Sequence, residues 1–316
     1  MSRPVALSAA RFGRPADVLR LVPVLPPPLR PGQVRVAMSM SPVNPSDLIP
    51  VTGAYATRTV LPFVPGFEGV GRVVGSRAPG LPVGRRVIPI GSAGGWQTVK
   101  TTDADWCVPV PDDLDDRVAA TSYVNPLTAV SMVESLALHR PEVVAVNAAG
   151  SATAGMVAAL LAARGVEVIG VARRSPGAPR AGFHRFVDVS ADPDAVDRLP
   201  RCDAVFDCVG GRDGARLAAR LRPGGVLFHY GLLSGEPLPR SVVSRPDVTV
   251  EFFRLRDRVH RMERGALRSA FDEVFDLLRR GVFRTSIAAE YRLTAWPVAL
   301  RHALRPAVGG KILLRP

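Results

Sequence analysis

The stretch EVVAVNAAGSATAGMVAALLAARGVEVIGVARRS, residues 142–175, decides how this chain folds. Residues 142–148 are a short apolar run bounded by polar and turn residues, which predicts a buried strand. A turn of small residues, AGSATAG, comes next. Residues 154–164 then read as a helix rich in Ala and Leu, and Gly165 ends it. Residues 167–172, EVIGVA, form a second strand. Two more apolar runs, at 204–209 and 225–230, predict further strands. Strands alternating with helices imply an α/β unit built on a parallel sheet.

The strand–turn–helix–strand layout is that of a dinucleotide-binding unit. Its turn needs small residues because the backbone must approach a pyrophosphate at the helix N-terminus. The three glycine positions of that fingerprint fall on Ala149, Ser151 and Ala154. Alanine at the third position is compatible with helix–strand packing, and the Ser151 hydroxyl can donate to a phosphate oxygen. A βα turn that binds nothing would have the same small residues. Where a site for NAD carries Asp or Glu, this chain has Val171 and Ala172, then Arg173, Arg174 and Ser175. Two guanidinium groups and a hydroxyl suit a 2′-phosphate, which favours NADPH. Two surface arginines after a strand are the alternative.

The rest of the chain bounds the problem. Its 316 residues suggest two domains. With 47% hydrophobic and 22% charged residues, disorder is excluded as the main state. The longest apolar run, 156–163, falls short of the roughly 18 residues of a membrane span. The first residues carry no long apolar stretch before a small-residue cleavage site, so a cytoplasmic location is expected. Of 41 basic residues 39 are arginine, scattered along the chain, which argues against a nucleic-acid stripe. Residues 240–316 hold a net +8 of the total +13, a bias that could attract an acidic partner or a phosphate-bearing substrate. Cys107, Cys202 and Cys208 show no paired spacing, so buried reduced thiols are expected, with no metal.

Before residue 120 the texture differs. The runs VRVAMSM, PVNPSD, GVGRVVGS and RRVIPI alternate with turn residues and read as short strands of an irregular barrel. Residues 263–280 form an amphipathic helix whose stripe is Leu267, Phe271, Val274, Phe275 and Leu278, a core face. Residues 285–316 return to strand-like runs.

Seven blocks, in order, carry a resemblance: VNPSDLIPVTGAY (43–55), PGFEGVGRVV (65–74), TSYVNPLTAV (121–130), NAAGSATAG (147–155), DCVGG (207–211), PGGVLFHYGLL (223–233) and GGKILL (309–314). On these the chain resembles the medium-chain dehydrogenase/reductase superfamily over essentially its whole length. Within it, the chain is similar to the zinc-independent 2-enoyl thioester reductases. The resemblance implies a GroES-like β-barrel domain, 1–120 completed by 285–316, and a Rossmann-type doubly wound parallel-sheet domain, 121–284. Relatives with a catalytic zinc hold it with Cys and His. Here those positions are Asn44 and Phe67, so no metal is expected.

The implied activity is NADPH-dependent reduction of the carbon–carbon double bond of an α,β-unsaturated acyl thioester. The acyl carrier would be CoA or an acyl carrier protein. A quinone or enone reductase on the same fold, or a cofactor-binding protein without turnover, are the alternatives. The resemblance assigns the proton-side catalytic role to Tyr55. It assigns the nicotinamide side to Asn125 and Thr128. Gly150, Ser151, Ala152 and Thr153 would wrap the pyrophosphate, and Arg173, Arg174 and Ser175 the 2′-phosphate. Tyr230, Gly231, Leu232 and Leu233 would line the nicotinamide pocket, and Phe253, Arg254, Leu255 and Lys311 would complete the site. In place of the family's large aromatic the chain carries Arg254, which would favour an anionic substrate if it faced the pocket. Pairing of two copies through strands near 247–257 is implied as well.

Overall fold

A computed structural model describes residues 3–136, 141–173, 181–305 and 308–316. They form two compact units. The first comprises 1–124, 259–279 and 285–316; the second comprises 125–258 and 280–284. The segment 259–279 therefore groups with the first unit, whereas the domain boundaries given above set it with residues 121–284.

The second unit is organised by a six-stranded sheet in which every neighbouring pair is parallel. From edge to edge the strands are Arg185–Asp188, Glu167–Ala172, Val143–Asn147, Cys202–Asp207, Leu221–His229 and Thr249–Phe252. The chain starts at the middle strand Val143–Asn147, steps outward twice, then crosses to Cys202–Asp207 on the other side and steps outward again. That reversal makes a crevice at the carboxyl ends of the two central strands, where open α/β sheets bind ligands. Cys202–Asp207 is buried at all six positions, as expected of a strand covered on both faces. Phe206 and Phe228 stack across neighbouring strands with centroids 5.0 Å apart. Each contributes about 1.5–3 kcal/mol by leaving water.

The first unit carries a seven-stranded sheet. Its path runs Ile287–Arg292, Lys311–Arg315, Gln33–Pro42, Val70–Ser76, Arg86–Pro89 and Cys107–Pro109, with Val99–Asp103 paired to Gln33–Pro42. Residues near the carboxyl end thus complete a sheet begun near the amino end. Leu7, Leu19, Val51, Trp96, Ile312 and Leu314 form one buried cluster beneath it. The helix Arg264–Arg279 buries Leu267, Phe271, Val274, Phe275 and Leu277, and Phe271 stacks on Tyr123 at 5.9 Å.

One segment read as a strand folds otherwise. In PVNPSD, Pro42 ends a strand and Pro45–Thr52 is a helix. Asn44 caps it, its N–H donating to the Asp47 carboxylate at 2.8 Å, and Pro45 occupies the first turn where its missing N–H costs nothing. The local cap outweighs the alternation of apolar residues.

Lys100 is buried, and its ammonium donates to the carbonyls of Pro89 (3.1 Å) and Ser92 (2.8 Å). Burial pushes its pKa down to about 8. Between about pH 8 and the unfolded value of 10.5 the folded chain binds fewer protons than the unfolded one, so this group makes stability rise with pH. Denaturant midpoints of wild type and Lys100→Met at pH 8 and pH 10 test it: the wild type gains relative to the variant at pH 10. Among the described residues no helix is long and apolar enough to cross a membrane.

Candidate active site

In the second unit the nucleotide turn is held by bonds that do not involve its side chains' polarity, except at Ser151. Ala148 takes a left-handed conformation, φ +45°, which costs a non-glycine residue about 1 kcal/mol or more. The Ala149 N–H donates to the Val171 carbonyl at 3.1 Å, and the Ser151 N–H to the Ala148 carbonyl at 2.8 Å. Ser151 caps the helix Ala152–Ala162, its hydroxyl accepting from the Ala154 N–H at 3.2 Å. Such a cap is worth about 1 kcal/mol.

Ala149 replaces the first fingerprint glycine, and the facing strand compensates. A Cβ on Gly170 would lie 2.9 Å from the Ala149 Cβ and 2.8 Å from the Phe183 ring. The space taken by the Ala149 methyl in the turn is left by the absence of a side chain at Gly170 on the neighbouring strand. Gly170→Ala should therefore cost about 1–3 kcal/mol by overpacking and displace the turn. Thermal unfolding together with NADPH titration of that variant checks both effects.

Gly150 is exposed, and a Cβ there would meet nothing within 4 Å. The N–H groups of Ala152 and Thr153 precede Gly155, the first N–H to bond within the helix, and lie at the positive end of the helix dipole. Open space beside unclaimed donors fits a dinucleotide pyrophosphate. Beyond the second strand, Arg173 is exposed. Arg174 and Ser175 lie outside the described residues. The nearest carboxylate in register is Asp188, opposite Ala172 on the edge strand, and it accepts from the N–H groups of Ser190 and Ala191.

At the carboxyl ends of the central strands sits a network that the sequence did not announce. Asp207 is fully buried and accepts from the Asn147 amide, the Val209 and Gly210 N–H groups and, at 2.6 Å, the His229 Nδ1. Burial would raise its pKa, but the bonds from His229, Asn147 and Gly210 outweigh burial and hold it below the usual carboxylate range. The network ties two loops together. The Tyr230 N–H donates to the Asp207 carbonyl and the Leu233 N–H to the Cys208 carbonyl. Gly231 lies against Cys208, where a Cβ would come within 2.8 Å of the Cys208 carbonyl. Leu232 and Leu233 are exposed. Thr128 is buried and Asn125 partly exposed on the helix Val124–Leu136. Phe253 is buried, and Arg254 is exposed.

The first unit holds four polar side chains in a cluster of their own. Asn44, Asp47 and Glu68 are buried, and Lys311 is nearly so. Asp47 accepts from the N–H groups of Asn44 and Phe67, each at 2.8 Å. Glu68 accepts from the Asn44 amide at 2.7 Å and from the Val124 and Tyr123 N–H groups at 2.8 and 3.2 Å. The Lys311 ammonium donates to the Asn44 Oδ1. Burial pushes the Asp47 carboxyl up to about 7 and raises Glu68 as well; it lowers Lys311, while the two carboxylates pull that ammonium the other way. Lys311 was expected against a cofactor, and here it anchors this cluster. Asp47 and Glu68 were not singled out from sequence. The signals were an Asn-x-x-Asp capping box and an acid set among apolar residues in GFEGV.

Tyr55 follows the helix Pro45–Thr52. Gly53 turns the chain there with φ +91°, packed against Phe12. Tyr55 is 39% exposed, and its carbonyl accepts from the Arg58 N–H and the Thr59 hydroxyl, both at 2.9 Å. Its backbone is fixed and its ring reaches solvent.

Comparison with known proteins agrees with this architecture. Residues 30–112 match the alcohol dehydrogenase GroES-like domain, and residues 181–314 match the zinc-binding dehydrogenase model. The chain is 30% identical to the mitochondrial enoyl-[acyl-carrier-protein] reductase of Bos taurus, over 99% of this chain and 89% of that one. It is 31% identical to the Arabidopsis thaliana protein of the same name, over 95% and 84%. A crystal structure described as a putative NADPH:quinone reductase from Bacillus thuringiensis superposes with a TM-score of 0.92, at 34% identity and full coverage of both chains. The chain belongs to the medium-chain dehydrogenase/reductase family, with a GroES-like unit and a Rossmann-like parallel-sheet unit.

The second family model's description implies zinc, and the residues present do not fit it. Both polar atoms of the Asn44 side chain are engaged, by Glu68 and Lys311. Phe67 offers no donor atom. Among the described residues no group of three His, Cys, Asp or Glu side chains could hold a metal.

Proposed function

We propose that this protein is an NADPH-dependent reductase of the carbon–carbon double bond in α,β-unsaturated acyl thioesters, working without a metal. The observation that carries the reading is the internally paired Asn44–Asp47–Glu68–Lys311 cluster, standing where zinc-dependent relatives would bind their ion. Without a Lewis acid, alcohol oxidation lacks its driving group. Reduction of a conjugated double bond needs only hydride delivery, a proton and polarisation of the carbonyl. The enoyl reductases among the relatives support the same reading.

When bound, NADPH supplies the hydride that reaches the β-carbon. The protein's task is to hold the reactants and manage the proton. The backbone at Gly150 and the N–H groups of Ala152 and Thr153 hold the pyrophosphate. Arg173, with Arg174 and Ser175, takes the 2′-phosphate. Asn125, Thr128 and the loop at 230–233, braced by Asp207 and His229, take the nicotinamide end, with residues 253–255 beside it. The Tyr55 hydroxyl donates toward the acyl carbonyl as negative charge develops, or relays a proton from water to the α-carbon. Residues 1–120 with 285–316 form the substrate-side domain and 121–284 the nucleotide domain in this proposal. Two copies pair through the edge strand Thr249–Phe252, whose Phe252 is 55% exposed.

A second reading, reduction of quinones, is favoured by the full-length likeness to the Bacillus thuringiensis structure. Titration with NADPH and NADH tests the cofactor assignment first: NADPH should bind at least 10-fold more tightly. Equal affinities would remove the 2′-phosphate role of residues 173–175. An acceptor panel of crotonyl-CoA and benzoquinone then separates the two readings, with the thioester preferred.

A further inference from the structure

Residues 254–268 carry six arginines, at 254, 256, 258, 261, 264 and 268, against Asp257 and Glu263. One of them is built into the first unit in an unusual way. The Arg264 guanidinium lies 3.4 Å from the centroid of the Trp106 ring. His260 packs on the same indole at 4.6 Å, and its Nε2 meets the Gly91 carbonyl at 2.9 Å. Gly91 makes room for the indole, since a Cβ there would sit 2.4 Å from it. The stack orients the guanidinium, yet its Nη1 is buried and finds no hydrogen-bond partner among the described residues. No ion pair to Arg264 occurs among them either. An unpaired donor on a cationic group is costly, and a guanidinium with its fork unclaimed is suited to an oxyanion. Arg264 also opens the helix Arg264–Arg279, whose first turn has no acidic residue. A cation at the positive end of a helix dipole is unfavourable, and a bound anion relieves it. Arg268, one turn on along the same face, is exposed.

The loop 91–95 links this arginine to the candidate site. At one end Gly91 touches Trp106. At the other, Gly95 abuts Glu68, where a Cβ would lie 2.7 Å from the Glu68 carbonyl. Four residues span at most about 14 Å. Lys100 fixes the middle of the loop through the Ser92 carbonyl.

The geometry points to a phosphate-binding site at Arg264, stacked on Trp106, that anchors the phosphorylated end of a pantetheine-linked acyl substrate. This rests on the thioester-reductase reading and adds to it the group by which the carrier is held. The phosphate belongs either to the 4′-phosphopantetheine shared by CoA and carrier proteins or to the nucleotide part of CoA alone.

Three thioesters distinguish these sources: crotonyl-pantetheine, crotonyl-4′-phosphopantetheine and crotonyl-CoA. In Arg264→Gln, KM for the phosphate-bearing thioesters should rise about 10-fold or more with kcat within twofold, while crotonyl-pantetheine is handled as by wild type. A rise already with phosphopantetheine assigns the shared phosphate; a rise only with CoA assigns the nucleotide phosphates. Arg264→Lys, which keeps the charge but not the planar stack on Trp106, should recover part of the loss. An equal change for all three thioesters, or none, overturns the site. If wild type turns over no thioester, the reductase reading fails. The phosphate site is then judged by calorimetric titration with free CoA, which must bind wild type and be lost in Arg264→Gln.

Discussion

Tyr55→Phe should lower kcat for an enoyl thioester by about 10²–10³-fold while NADPH affinity and melting temperature stay unchanged. The size follows from the usual contribution of a positioned proton donor, equivalent to about 3–4 kcal/mol of barrier. The selectivity follows from the structure. The carbonyl of residue 55 is bonded to Arg58 and Thr59 and the ring is partly exposed, and Phe keeps both that backbone and that ring. Quinone reduction places its charge on a different oxygen framework and should survive better than enoyl reduction. Steady-state kinetics with crotonyl-CoA and a quinone, beside a thermal melt, reads all three. Retention of full enoyl turnover would remove Tyr55 from the mechanism; equal loss of both activities would deny it substrate selectivity.

Glu68→Ala should destabilise the protein by about 3–5 kcal/mol, the range seen when one member of a buried charge cluster is removed. Glu68 is 2% exposed and accepts from three donors, the Asn44 amide and the Tyr123 and Val124 N–H groups. Its loss strands those donors and leaves the Lys311 ammonium with less compensation. At roughly 2–4 °C per kcal/mol for a chain approaching this size, the melting temperature falls by about 10 °C. Glu68→Gln keeps one acceptor oxygen but adds an amide N–H among three donors, so it should fall between the two. Denaturant unfolding of the three proteins measures the order. A Glu68→Ala protein as stable as wild type would show that the cluster is not held as a unit.

Much of the fold was legible because it rests on local periodicity. The buried strand Val143–Asn147 and the strand Glu167–Ala172 lie within a residue of their predicted ends. Where non-local pairing decides, the sequence misled. The strand Leu221–His229 begins four residues before the predicted run at 225, through Arg222, Pro223 and Gly224. Pairing with Cys202–Asp207, with a register shift between Cys202 and Ala204, carries the strand across them. The helix after Asn44 is set by its Asn44–Asp47 capping box, a signal that apolar alternation does not carry. The nucleotide turn was legible as small residues, but its fit was not. That fit depends on Gly170, which meets Ala149 across the sheet. The Asp207–His229 pair and the Glu68 cluster join residues 22 to 267 positions apart, beyond any motif window.

The proposed reaction is a metal-independent, NADPH-dependent reduction of an enoyl thioester. The most direct test follows NADPH oxidation with crotonyl-CoA by enzyme dialysed exhaustively against a chelator and assayed for residual metal. Stoichiometric formation of butyryl-CoA, at the rate of the untreated protein, is the predicted result. No butyryl-CoA from either sample, or activity that disappears with the metal and returns with added zinc, would contradict it.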